Sequence, residues 1–128
     1  MNRVIKGICI VGVALLSACG ADVGSTRIIS RTYSPDGRRE AVYSEDMSGG
    51  ATVGPTEEVY VVAEGDSPRP QDRVFSQERV CNLKVSWLND NAVEIGYSAR
   101  KALDDGANVP RGIEVHLKWL GPDPANGC

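Results

Sequence analysis

The chain of 128 residues carries few side chains able to do covalent or acid–base chemistry: four cysteines, at positions 9, 19, 81 and 128, and one histidine, His116. A thiol serves as nucleophile, metal ligand or half of a disulfide, and its setting decides which. No two of these cysteines stand at zinc-ligand spacing, and a lone histidine has no second imidazole with which to share a metal. His116 lies between Glu114 and Lys118 in an alternating segment, where an exposed strand histidine is expected, and no serine sits in the Gly-x-Ser-x-Gly setting of a nucleophile elbow. Asp104-Asp105-Gly106 and Asn89-Asp90-Asn91 offer oxygens, yet neither has the ligand count of a calcium loop; both read as turns. Glu57-Glu58 reads as a solvated strand edge rather than an acid–base pair, because a glycosidase needs two carboxylates facing across a cleft. Gly49, Gly50 and Gly54 are followed by neither a lysine nor a helix, which excludes a phosphate loop and leaves a bulge or a recognition loop. This inventory points away from catalysis and calls for no cofactor and no metal.

Cys19 has a setting of its own. Arg3 and Lys6 precede an apolar run at 7–16. About ten residues rise about 15 Å as a helix, half of a bilayer core, so the run has the length of an export signal and not of a membrane span. After it, Leu16-Ser17-Ala18-Cys19 resembles the bacterial lipobox, in which a leucine and two small residues precede the cysteine. The resemblance implies that the Cys19 thiol takes a diacylglycerol, that the signal is cut just before it, and that a third acyl chain can follow on the new amino group. The competing reading is an ordinary secretory signal with an incidental cysteine; the fit of all four positions and of both upstream regions favours the lipobox. Cys9 then leaves with the signal. The mature chain, residues 19–128, keeps 12 basic against 17 acidic residues, a formal charge of −5. Such a balance argues against a nucleic-acid partner. Two or three acyl chains would anchor the protein to a membrane firmly, at about 0.8 kcal/mol per buried methylene. Gly20, rather than an aspartate, in the second mature position implies the outer membrane, facing the periplasm, in a Gram-negative cell.

The elements that position these residues read as strands. The chain divides into a signal at 1–18, a small and polar tether at 19–26, and one domain at 27–128. Short apolar or alternating runs at 27–33, 39–44, 59–63, 73–80, 83–88, 92–97 and 113–119 are separated by turn signals. Ser34-Pro35-Asp36-Gly37 predicts a hairpin turn, with proline presetting φ at the second position. The segment 98–111 reads as a long loop with room for one helical turn near 99–104. The expected fold is all-β, a small antiparallel sandwich or curled meander of about six to seven short strands. Trp87 and Trp119 fall on the aliphatic faces of their strands, so both are expected in the core.

With Cys19 acylated, Cys81 and Cys128 are the remaining pair. An oxidising compartment points to one disulfide between them, against two free thiols or a bridge to another chain. It would close a loop of about 48 residues, worth about 4 kcal/mol on the chain-entropy account. The segments at 34–37 (SPDG), 50–52 (GAT) and 87–97 (WLNDNAVEIGY) resemble a group of small, uncharacterised bacterial envelope proteins. The likeness implies class and fold but carries no activity. SPDG also resembles the turn of β-propeller blades, but a propeller needs at least four blades of about forty residues, more than this chain holds. The functional expectation is a lipid-anchored cell-envelope module, non-catalytic, that binds or shields an envelope partner. An alternative of another kind is a periplasmic inhibitor or immunity protein against a basic lytic enzyme, toward which a charge of −5 would help steering.

Overall fold

The computed structural model describes residues 26–49, 52, 54–104, 109, 110 and 112–128. Cys19, the signal and the tether up to residue 25 lie outside the described residues, as do Gly50 and Asp105 to Asn108. Among the described residues, seven strands form two sheets: β1 (Thr26–Tyr33), β2 (Arg39–Asp46), β3 (Thr56–Ala63) and β4 (Arg73–Glu78) in one, and β5 (Cys81–Asn89), β6 (Ala92–Ser98) and β7 (Glu114–Trp119) in the other. The all-β expectation holds. Among the described residues, helix is confined to two 3-10 turns, Pro70–Asp72 and Pro124–Asn126, and no helix is long and apolar enough to cross a membrane.

The first sheet is an antiparallel meander in chain order. The second is mixed: β5 and β6 pair antiparallel, whereas β6 and β7 run parallel. This differs from the antiparallel expectation, and the cause is the connection. Parallel neighbours need a crossover rather than a hairpin, and residues 99–113 supply it. The described residues of that segment, 99–104, 109, 110, 112 and 113, are irregular and not helical.

The sheets meet over one aliphatic core. Ala41, Val59 and Val61 from the first sheet face Val93, Ile95 and Tyr97 from β6, with Leu83, Val85 and Trp87 of β5 packed against them. Val74 and Phe75 are neighbours in sequence, yet both are buried in that cluster. A register shift opposite Val59 and Tyr60 explains this: the bulge gives β4 an extra residue and breaks the alternation, so two consecutive side chains turn inward.

The two tryptophans fare differently. Trp87 is half-buried, and its indole N–H donates to the Thr32 carbonyl at 2.9 Å, tying β5 to β1. Trp119 corrects the expectation: it is 45% exposed. Its register partner Tyr97 fills the core at 1% exposure, and β7 lies at the sheet edge, so the indole stands beyond the packed interior. Its N–H donates to the Ala99 carbonyl at 2.9 Å.

Turn chemistry fastens one end of the molecule. The Gly37 N–H donates to the Ser34 carbonyl at 2.9 Å, with Gly37 at φ +72°, a conformation that only glycine adopts without penalty. The Ser34 hydroxyl donates to Asp36 Oδ1 at 2.6 Å, and the same oxygen accepts from the Arg38 N–H at 3.0 Å. These bonds hold the Asp36 carboxyl below its usual pKa, the Ser34 bond foremost. The turn then hooks the other sheet: the Asp36 N–H donates to Asp90 Oδ1 at 2.9 Å, and Arg39 Nη1 reaches Asn91 Oδ1 at 3.1 Å and the Gly112 carbonyl at 3.3 Å.

Candidate functional site

An open groove of about 580 Å³ lies where β1 and β2 approach β5. Strand alternation builds it. Leu83 and Val85 turn toward the core, while Lys84 and Ser86 turn to the opposite face. Register sets Lys84 beside Gly96 and Gly96 beside Lys118, and Ser86 beside Glu94. The missing side chain of Gly96 leaves a depression that Leu120 covers; a Cβ at Gly96 would lie 3.5 Å from Leu120 Cδ1. From the first sheet, Ser30 and Tyr43 complete the lining. The groove therefore offers three hydroxyls, two ammonium groups and one carboxylate, with Lys118 Nζ 3.8 Å from Glu94 Oε1. This set can hold a polar ligand by hydrogen bonds and attract an anionic group on it.

His116 stands at the margin of this face, 54% exposed, with Nε2 at 3.4 Å from Glu114 Oε2. Register aligns Ser86, Glu94 and His116 across three strands. The row is not a catalytic triad, because the carboxylate occupies the middle. Strands spaced about 4.8 Å apart put the serine and the imidazole about 10 Å from each other, too far for proton transfer.

Glu57 and Glu58 correct the reading of a solvated edge. Each is only 6% exposed, and alternation sends them to opposite faces of the first sheet. On the outer face, Glu58 accepts from Tyr60 at 2.7 Å and pairs with Arg73 at 2.9 Å; burial and that bond push the Tyr60 phenol up to about 12. Nearby, Arg31 pairs with the buried Glu40 at 2.7 Å. On the core face, Glu57 lies opposite Glu45 in the ladder and bonds the Tyr43 phenol, and its Oε2 has no hydrogen-bond partner among the described residues. Burial raises its pKa, with Glu45 adding to the rise and the Tyr43 bond opposing it. Burial, and then the Glu57 bond, raise the Tyr43 pKa in turn. Tyr43 thus joins the groove to a buried carboxyl.

The folded pKa of Glu57 lies above the ordinary 4.5, so the folded chain binds more protons between the two values. Its contribution is most favourable below 4.5 and is lost as pH rises through the raised folded value. Glu57→Gln removes the charge that burial disfavours, so it is expected to remove this slope and to raise stability at pH 7 relative to the wild-type chain. Urea denaturation of both proteins from mildly acidic to mildly basic pH checks this; parallel curves would refute it.

Cys81 and Cys128 are joined by a disulfide, with Cα atoms 6.0 Å apart. The corner it clamps is tight. Arg79 and Asn82 flank Val80 and Cys81 in the left-handed region, at φ 57° and 55°, which turns the chain from β4 into β5. Asn82 Nδ2 donates to Asp123 Oδ2 at 2.9 Å, and Asn126 Nδ2 to the same oxygen at 2.7 Å; these bonds lower the Asp123 pKa.

The Asn89-Asp90-Asn91 segment is a turn, with the Asn91 N–H donating to Asn89 Oδ1 at 2.8 Å. Among the described residues, no three His, Cys, Asp or Glu side chains gather where they would hold a metal. Sequence reasoning missed the groove. The outward positions of Lys84, Ser86 and Lys118 were legible from alternation; their approach to Ser30 and Tyr43 depends on which strands of the two sheets adjoin. Compared with protein-family models, curated proteins and solved structures, the chain matches none.

Proposed function

We propose that this protein is a lipid-anchored module of the bacterial cell envelope that acts by binding, not by catalysis, with the groove at the β1–β5 seam as its binding surface. The observation that carries the reading is the Leu16-Ser17-Ala18-Cys19 segment directly after the basic and apolar stretches of an export signal. The Cys81–Cys128 disulfide supports it, because such bonds persist in oxidising compartments. A tether of a few small residues between Cys19 and β1 would hold the domain close to the bilayer surface. The groove's hydroxyl and ammonium groups suit a polar ligand bearing a negative charge.

Anchoring is tested first. Labelled palmitate is expected to enter the wild-type protein and not Cys19→Ser. The variant is expected to leave the membrane fraction and to keep its signal uncut by the lipoprotein peptidase. Label entering both proteins equally, or a variant that stays in the membrane with its signal removed, would overturn the anchor.

A further inference from the structure

β7 forms one edge of the second sheet, with β6 on its inner side and no strand on its outer side among the described residues. The Glu114 N–H donates to the Asn91 carbonyl and the Leu120 N–H to the Tyr97 carbonyl, both at 2.8 Å. Backbone groups alternate sides along a strand, so the even residues bond β6, and Val115, Leu117 and Trp119 turn their N–H and C=O groups to the open edge. The side chains from Ile113 to Trp119 (IEVHLKW) run apolar, acid, apolar, histidine, apolar, base, apolar. The pattern is symmetric about His116, with the charge inverted.

We propose that β7 pairs antiparallel with β7 of a second copy of this chain, about a two-fold axis through His116. Opposed residues in an antiparallel ladder are both hydrogen-bonded or both not, so odd positions must face odd and even must face even. Centring on His116 satisfies that rule and sets Glu114 against Lys118 of the second copy twice over. On the core-facing side it sets Val115 against Leu117 and brings Ile113 beside Trp119. Centring on Leu117 instead opposes His116 to Lys118 and leaves Glu114 against an apolar Leu120. Centring on Lys118 opposes two lysines. Centring on Val115 leaves Lys118 against Gly112 and carries Trp119 past the paired region.

The His116 register is therefore the one in which both charges find opposites and Trp119 is covered. The 45% exposure of that indole follows from the edge position of β7, and a strand added at that edge would cover it. The side chains are available: Glu114, His116 and Lys118 are 76%, 54% and 62% exposed, and their contacts within the chain are long, at 3.4 Å and 3.8 Å. The first sheet's edges are less suited. β1 carries Arg27, Arg31 and a register shift between Ile28 and Ser30, devices that blunt an edge, and β4 is bulged. The β5 edge faces β1 through the Trp87–Thr32 bond. The result is an isologous dimer with one six-stranded sheet continuous across both copies.

The test uses the full chain in detergent. Sedimentation equilibrium is expected to show the mass rising toward two chains with concentration. Lys118→Glu and Glu114→Lys are each expected to weaken association more than about tenfold, by opposing like charges across the interface, and the double variant to restore it. His116→Cys is expected to cross-link two chains under mild oxidation beyond the wild-type background, because opposed Cα atoms in a non-hydrogen-bonded pair lie about 4.5 Å apart. Glu94→Cys, one strand inward on the same face, is expected not to. A mass that stays at one chain, a dimer indifferent to both charge reversals, or equal cross-linking from position 94 would overturn the proposal.

Discussion

Reducing the Cys81–Cys128 bond, or replacing both cysteines by alanine, is expected to cost about 4 kcal/mol of stability and to lower the melting temperature by more than about 15 °C. The bond spans 47 positions and joins the start of β5 to the tail behind β7. What remains at that corner without it is weak: the Asn82–Asp123 and Asn126–Asp123 bonds are exposed to water. Hydrogen exchange should therefore rise first in residues 120–128 and at the beginning of β5, before the core of β6. Thermal unfolding with and without reductant measures the whole effect, and exchange mass spectrometry its location. An unchanged melting temperature after complete reduction would show the bond to be idle.

The other large effect is expected at Tyr97. Its ring is 1% exposed and its centroid lies 6.2 Å from that of Phe75. Its hydroxyl accepts the Leu103 N–H at 2.8 Å, and its backbone carbonyl accepts the Leu120 N–H at 2.8 Å. One side chain thus fills the core and pins the start of the crossover. Tyr97→Ala is expected to cost about 3–5 kcal/mol, through lost burial and the cavity left behind. That is a large part of the about 5–15 kcal/mol that holds a domain folded. Tyr97→Phe keeps the ring and orphans the Leu103 N–H, so it is expected to cost only about 1–3 kcal/mol. Urea midpoints for the two variants separate packing from hydrogen bonding. Equal losses would mean that the hydroxyl, and not the ring, is what matters.

Tyr97 also shows what the sequence makes legible. Period-two alternation in AVEIGY placed its ring inward and marked 83–88 and 113–119 as strands, while short apolar runs marked the other four and turn residues such as Ser34-Pro35-Asp36-Gly37 marked the breaks between them. A strand reports its own faces through local chemistry, because side chains alternate whatever the neighbours are. Neighbours are another matter. Nothing in 113–119 distinguishes a parallel from an antiparallel partner, since the alternation is identical in both. The direction of β7 depends on a crossover whose residues carry little pattern. Trp119 was misplaced for a related reason: it lies on the core-facing side of its strand, but an edge position leaves that side uncovered. Glu57 and Glu58 were misjudged because burial of a carboxylate depends on partners far along the chain, here Tyr43, Tyr60 and Arg73. Cys81 and Cys128 were legible by elimination, once Cys9 and Cys19 had been set aside. The groove was not, because it belongs to a seam between sheets and not to any one segment.

The fastenings of the two sheets are unevenly placed. At one end the turn at 34–37 is hooked to Asp90, Asn91 and Gly112; at the other the disulfide and the short 79–80 link hold the corner. Along the flank between them, β1 is tied to β5 by the Trp87 indole bond to the Thr32 carbonyl. No strand ladder joins the sheets along that flank, so widening it would break the indole bond and loosen the packing of Leu83, Val85 and Trp87 while leaving every strand ladder intact. The groove lies on the same flank, and its width would follow such a widening. Its capacity would then depend on how far the seam widens as well as on its resting shape, and solvent exchange of the Trp87 indole proton would report that widening.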